Sequence, residues 1–89
     1  MYQIEFSEEA RKELFRMMKS DIKTYKKFES LIPELRAHPY TGTGHPHQLR
    51  HVNGVWSRKL DKKNRLRYMV NDKTVVVFIV SALGHYDDK

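Results

Sequence analysis

Residues 75–80, Val-Val-Val-Phe-Ile-Val, constrain the fold more than any other stretch of the chain. A short apolar run without alternation reads as a β-strand covered on both faces, and hence a central one. The expectation is a strand within residues 74–83, far too short to span a bilayer. The rest of the chain must then supply its sheet neighbours and a covering layer.

The neighbours are legible. Residues 55–60 and 65–70 flank a charged turn, Asp61-Lys62-Lys63-Asn64, and read as an antiparallel pair. Asn71-Asp72-Lys73 turns the chain into the central strand. Residues 48–52 suggest a further short strand before Asn53-Gly54, a strong turn signal. At the N-terminus Tyr2, Ile4 and Phe6 alternate with Gln3 and Glu5, which predicts a strand with one buried face beside the central one.

Two helices provide the covering layer. Ser7 is a good N-cap, and Glu8 and Glu9 meet the positive end of the helix dipole. Ala10, Leu14, Met17 and Met18 recur at helical spacing, with Arg11, Lys12, Arg16 and Lys19 facing outward. Ser20-Asp21 caps a second helix with an apolar stripe of Ile22, Tyr25, Phe28, Ile32 and Leu35. Pro33 removes a donor and crowds the preceding turn, predicting a kink or a fresh helical start. His38-Pro39 ends the element. Residues 40–47 hold Gly42, Gly44 and Pro46 without periodicity and read as a loop whose glycines serve turn geometry. The expected architecture is a single α+β domain over residues 1–89, with a small antiparallel β-sheet packed against two N-terminal α-helices.

Charge narrows the partner. Against 11 acidic residues stand 17 lysines and arginines, a net charge of +6 in 89 residues. RNA, DNA, an acidic membrane and an acidic protein all answer that description. No cysteine is present, which excludes disulfides and thiolate chemistry. The opening residues lack the basic flank and apolar core of a secretory leader, so a soluble, cytoplasmic protein with no membrane partner is expected.

The chemistry concentrates in residues 42–68 and at His85-Tyr86. Arg58, Lys59, Arg65 and Arg67 share one hairpin, and alternation lets only some share a face. If Leu66, Tyr68 and Val70 face the core, Arg65 and Arg67 point away from it. Lys59 and Ser57 join them if residue 59 pairs with 65, whereas Arg58 joins them if the register moves by one. Either way like charges oppose each other, an arrangement that an anion between them relieves. His45, His47 and His51 cluster near the loop. Their spacing fits no zinc motif, and an imidazole can give or take a proton at neutral pH. RNA carries its own nucleophile in the 2′-hydroxyl. A protein that takes that proton, stabilises the phosphorane and protonates the leaving 5′-oxygen needs no metal or other cofactor, and arginine's planar fork suits the middle task.

The ordered set Gly-Thr-Gly-His-Pro at 42–46, Leu49, Gly54, Trp56-Ser57-Arg58, Asn64-Arg65-Leu66, Tyr68 and His85-Tyr86 resembles the YoeB/Txe toxins of the RelE superfamily along essentially the whole chain. That resemblance implies a toxin of a type II toxin–antitoxin pair that cleaves mRNA on the 70S ribosome. It also implies a RelE-like fold, a cognate acidic antitoxin and a possible homodimer. Arg65 matches the arginine that stabilises the transition state, His85 the general acid and Tyr86 the tyrosine that positions substrate. Arg50 and His51 match basic residues that hold RNA, and Lys59 stands where a second arginine is usual. The family's glutamate base corresponds to His47 here, so the resemblance implies either a histidine pair, His47 as base and His85 as acid, or weakened cleavage. Asp87 and Asp88 follow the tyrosine, beyond the point where many relatives end. Beside the endoribonuclease stand two other readings, an inactive relative that binds RNA, ribosome and antitoxin through the same face, and a purely structural domain.

Overall fold

Ser7 is where strand gives way to helix. Its backbone is extended (φ −69°, ψ 162°), its hydroxyl accepts the Ala10 N–H at 2.9 Å, and the same hydroxyl donates to the Val80 carbonyl at 2.6 Å. One side chain therefore caps a helix and ties it to the sheet. The computed structural model describes residues 1–83. Within them the order is β1 (Gln3–Phe6), α1 (Glu8–Ser20), α2 (Ile22–Ala37), β2 (His47–Gln48), β3 (Trp56–Lys59), β4 (Arg65–Asn71) and β5 (Val76–Ser81).

Asp21 alone separates the helices. Its N–H closes α1 on the Met17 carbonyl, and its carboxylate caps α2 by accepting the Thr24 N–H at 3.2 Å. Both helices lie on one face of a five-stranded sheet ordered β1-β5-β4-β3-β2. Ala10, Leu14, Met17, Phe28, Leu31 and Leu35 pack there against Leu66, Tyr68, Val77 and Ile79. Each such large side chain withdrawn from water contributes about 1.5–3 kcal/mol. The expected α+β architecture is present.

Several details differ from expectation. β1 lies beside β5 but pairs parallel to it, Ile4 opposite Val77, the two being joined not by a turn but through both helices and the three other strands; the other pairings are antiparallel. The apolar run begins pairing only at Val76. Val75 sits at φ 58°, in a turn whose Asn71 carboxamide oxygen accepts the N–H groups of Lys73 and Thr74. Although β5 is interior in the sheet, the helices cover only one of its faces. Val77 and Ile79 are fully buried while Phe78 is exposed, since both helices share the other side. α2 runs through Pro33 as one helix, and its buried stripe includes Leu31, while Met18 and Ile22 stay exposed. No helix among the described residues is long and apolar enough to cross a membrane.

Candidate active site

The face left open by the helices is built by strand register. His47 pairs with Ser57, Ser57 with Arg67 and Lys59 with Arg65. Directly paired residues share a face, so His47, Ser57 and Arg67 form a row across three strands, with Lys59 and Arg65 in the next row. At about 4.8 Å per strand, the His47 and Arg67 backbones lie about 10 Å apart, within reach of one phosphate through their side chains. A bulge between Arg67 and Tyr68 then brings Ser81 of β5 opposite Arg67.

The pairing of residue 59 with 65 decides between the two registers and sends Arg58 the other way. Expected to join the RNA-facing cations, Arg58 is instead fully buried on the helix side. Nη1 meets the Glu34 carboxylate at 3.2 Å, and Nη2 donates to the carbonyls of His38 (3.2 Å) and Thr41 (3.0 Å), with the Pro39 carbonyl at 3.4 Å. The Tyr68 ring lies 5.8 Å below the guanidinium, and its hydroxyl donates to the Pro39 carbonyl at 2.7 Å. A cation can be sequestered here because a carboxylate and several carbonyls replace its water.

Lys59 is exposed and opposes the half-buried Arg65. Arg65 Nη1 donates to the Asp61 carbonyl at 2.8 Å and the Asn64 carbonyl at 3.3 Å, so this cation also fastens the turn it follows. Asp61 organises that turn, accepting the N–H groups of Lys63 and Asn64 at 2.8 and 2.7 Å. Burial raises its pKa, but hydrogen bonds from Asn64, Thr24 and Lys63 outweigh that and hold it below the ordinary carboxylate value.

His47 is exposed, with Nδ1 3.0 Å from the His45 carbonyl and the two rings 6.4 Å apart. His45 is held at φ 59°, an unusual conformation for a side-chain-bearing residue. Arg50 and His51 are exposed in the connection between β2 and β3. Among the described residues no three His, Asp or Glu side chains gather as a metal site. His85 and Tyr86 lie outside the described residues. The last described residues are tied to α1, where the Glu13 carboxylate accepts the N–H groups of Ala82 and Leu83 at 2.7 and 3.2 Å.

A sequence model of the YoeB-like toxins of bacterial type II toxin–antitoxin systems matches residues 6–86. The chain belongs to this family. Among YoeB proteins, the toxin of Escherichia coli strain K12 is 33% identical over 73 residues, covering 81% of this chain and 87% of that protein. The YoeB dimer from Staphylococcus aureus superposes with a TM-score of 0.84 at 28% identity, covering 96% of this chain and 98% of that one. A chain of the heterotetrameric YoeB–YefM toxin–antitoxin complex from the same organism gives a TM-score of 0.80 at 29% identity, with 97% and 99% covered.

Sequence reasoning missed Glu34 and the loop carbonyls as partners for a cation on the YoeB-like hairpin. Nothing short of the fold shows that a helical glutamate 24 residues away lies beneath Arg58.

Proposed function

We propose that the chain is a ribosome-dependent endoribonuclease that cleaves mRNA in the cytoplasm and is silenced by an acidic antitoxin. The observation that carries this reading is the row of His47, the buried Ser57 and the half-buried Arg67, beside Lys59 and Arg65, on the face of a YoeB-type sheet that the helices do not cover. His47 takes the proton of a 2′-hydroxyl, whose oxygen attacks the adjacent phosphorus. Arg65, Arg67 and Lys59 neutralise the charge gathering on the non-bridging oxygens. His85 donates a proton to the departing 5′-oxygen, and Tyr86 positions the substrate, roles that rest on family resemblance. The products are a 2′,3′-cyclic phosphate and a 5′-hydroxyl. Arg50 and His51, exposed beside the row, hold flanking RNA or ribosomal phosphate.

The heterotetrameric Staphylococcus aureus complex supports an antitoxin partner, and the dimer from the same organism supports self-association. A second reading follows from histidine standing at the family's glutamate position: a relative that binds ribosome and antitoxin without cutting. The two separate on programmed ribosomes carrying a defined message, with the same RNA free as control. Ribosome-dependent cuts with cyclic ends that vanish in His85→Ala support cleavage. An intact message on bound ribosomes rejects it in favour of binding alone, and cuts restored by His47→Glu identify the base as the missing part.

A further inference from the structure

The loop that delivers His47 has no regular structure of its own, yet its backbone is held at nearly every turn. Arg58 gathers the His38, Pro39 and Thr41 carbonyls, and its partner Glu34 accepts the Thr43 N–H at 2.6 Å. Gly44 follows at φ 85°, its carbonyl accepting the Lys59 N–H at 2.7 Å. A Cβ at Gly44 would stand 2.6 Å from the Lys59 carbonyl oxygen and 2.7 Å from Arg58 Cγ, so the loop is pressed directly onto the arginine stem. One residue later His45 adopts its left-handed backbone and presents its carbonyl to His47 Nδ1 at 3.0 Å. A carbonyl oxygen only accepts, so Nδ1 carries the hydrogen and the neutral ring keeps its lone pair on Nε2.

We infer that Arg58 and Glu34 are positioning residues that hold the loop so that the His45 carbonyl fixes His47 as the Nδ1–H tautomer, with Nε2 as the proton-accepting atom. The consequence for cleavage rests on His47 being the base; the tautomer and its dependence on the pair do not. Arginine is required because one planar fork spans Glu34 and carbonyls on several sides. Lysine offers a compact charge that can pair with Glu34 but cannot bridge the set.

The test is nitrogen NMR of the histidine rings in the full chain, with His47 assigned by its loss in His47→Gln. In the wild-type protein the neutral His47 ring shows hydrogen on Nδ1; hydrogen on Nε2 overturns the inference outright, whatever the variants do. Arg58→Lys, Glu34→Gln and Gly44→Ala are each expected to move His47 toward the Nε2–H form while His51, on the next loop, keeps its signals. Gly44→Ala displaces the loop without removing either charge, so it serves if a change at the buried pair prevents folding. In the same variants kcat on programmed ribosomes drops about 10²-fold, with ribosome affinity changed by less than about threefold. Folded variants with wild-type His47 signals and wild-type kcat would refute the positioning role. Shifted His47 signals, with cleavage indifferent to both these variants and His47→Gln, would leave positioning intact and remove His47 as the base.

Discussion

Two basic side chains in neighbouring positions meet opposite fates. Lys59 is exposed on the open face, whereas Arg58 lies under the loop, bonded to Glu34. Truncating Arg58 leaves the part-exposed Glu34 carboxylate with the Thr43 N–H and frees the loop carbonyls, so Arg58→Ala should cost about 1.5–3 kcal/mol in chemical denaturation, the scale of hydrogen bonds to a charged group. Arg67, half-buried opposite Ser57, lies on the sheet face that the helices leave uncovered, and its substitution tests recognition. Arg67→Gln should weaken ribosome binding and flatten its slope against log salt by about 0.7–1, the signature of one lost phosphate contact. For the proposed base, His47→Gln should lower cleavage by about 10²–10⁴-fold. Alternation alone separated Arg65 and Arg67 from Leu66 and Tyr68. It could not place Arg58, since that needed the register of β3 against β4, and a slip of one residue would exchange its face with that of Lys59.

Among the elements, α2 and the loop after it form one electrostatic unit. The Thr43 N–H, together with the Arg58 guanidinium, holds the Glu34 carboxyl below its ordinary value of 4.5 against a smaller opposing effect of burial. A carboxyl with a lowered folded pKa contributes stability that is complete above the unfolded value and is lost as pH falls through the folded one. The melting temperature of Glu34→Gln should therefore fall less steeply than that of the wild-type protein between about pH 5 and pH 3. The Ser7 cap and the Glu13 hydrogen bonds tie α1 to β5 from two directions. Glu13→Ala should cost about 1.5–3 kcal/mol by the loss of charge-assisted hydrogen bonds to the Ala82 and Leu83 N–H groups, read by chemical denaturation. Helix starts were legible because a serine or aspartate before an apolar stripe has few other uses. The start of β5 was not, since Val75 is as apolar as its successors and only the turn geometry removes it from the strand.

At the scale of the whole molecule, charge and topology act together. The two helices cover one face of the sheet, Lys59, Arg65 and Arg67 lie on the other, and Arg50 is exposed in the connection between β2 and β3, all among the residues that give the chain its charge of +6. If these four cations meet phosphate, ribosome affinity should fall about fiftyfold between 50 and 200 mM salt. An acidic antitoxin competing for the same cations should abolish that salt-dependent binding. The amino-acid sequence by itself determined the two helices and their caps, the basic hairpin, the α+β class and, through the spacing of residues 42–86, the family. Those properties reside in local periodicity and in residue order, which need no knowledge of what touches what. Tertiary structure alone decided the parallel pairing of β1 with β5, the open side of the apolar strand, the alignment of His47, Ser57 and Arg67, and the burial of Arg58 on Glu34. Each of these depends on groups far apart in the chain being brought together, and a cation becomes a surface contact or a buried latch according to which carboxylate and carbonyls the fold places within its reach.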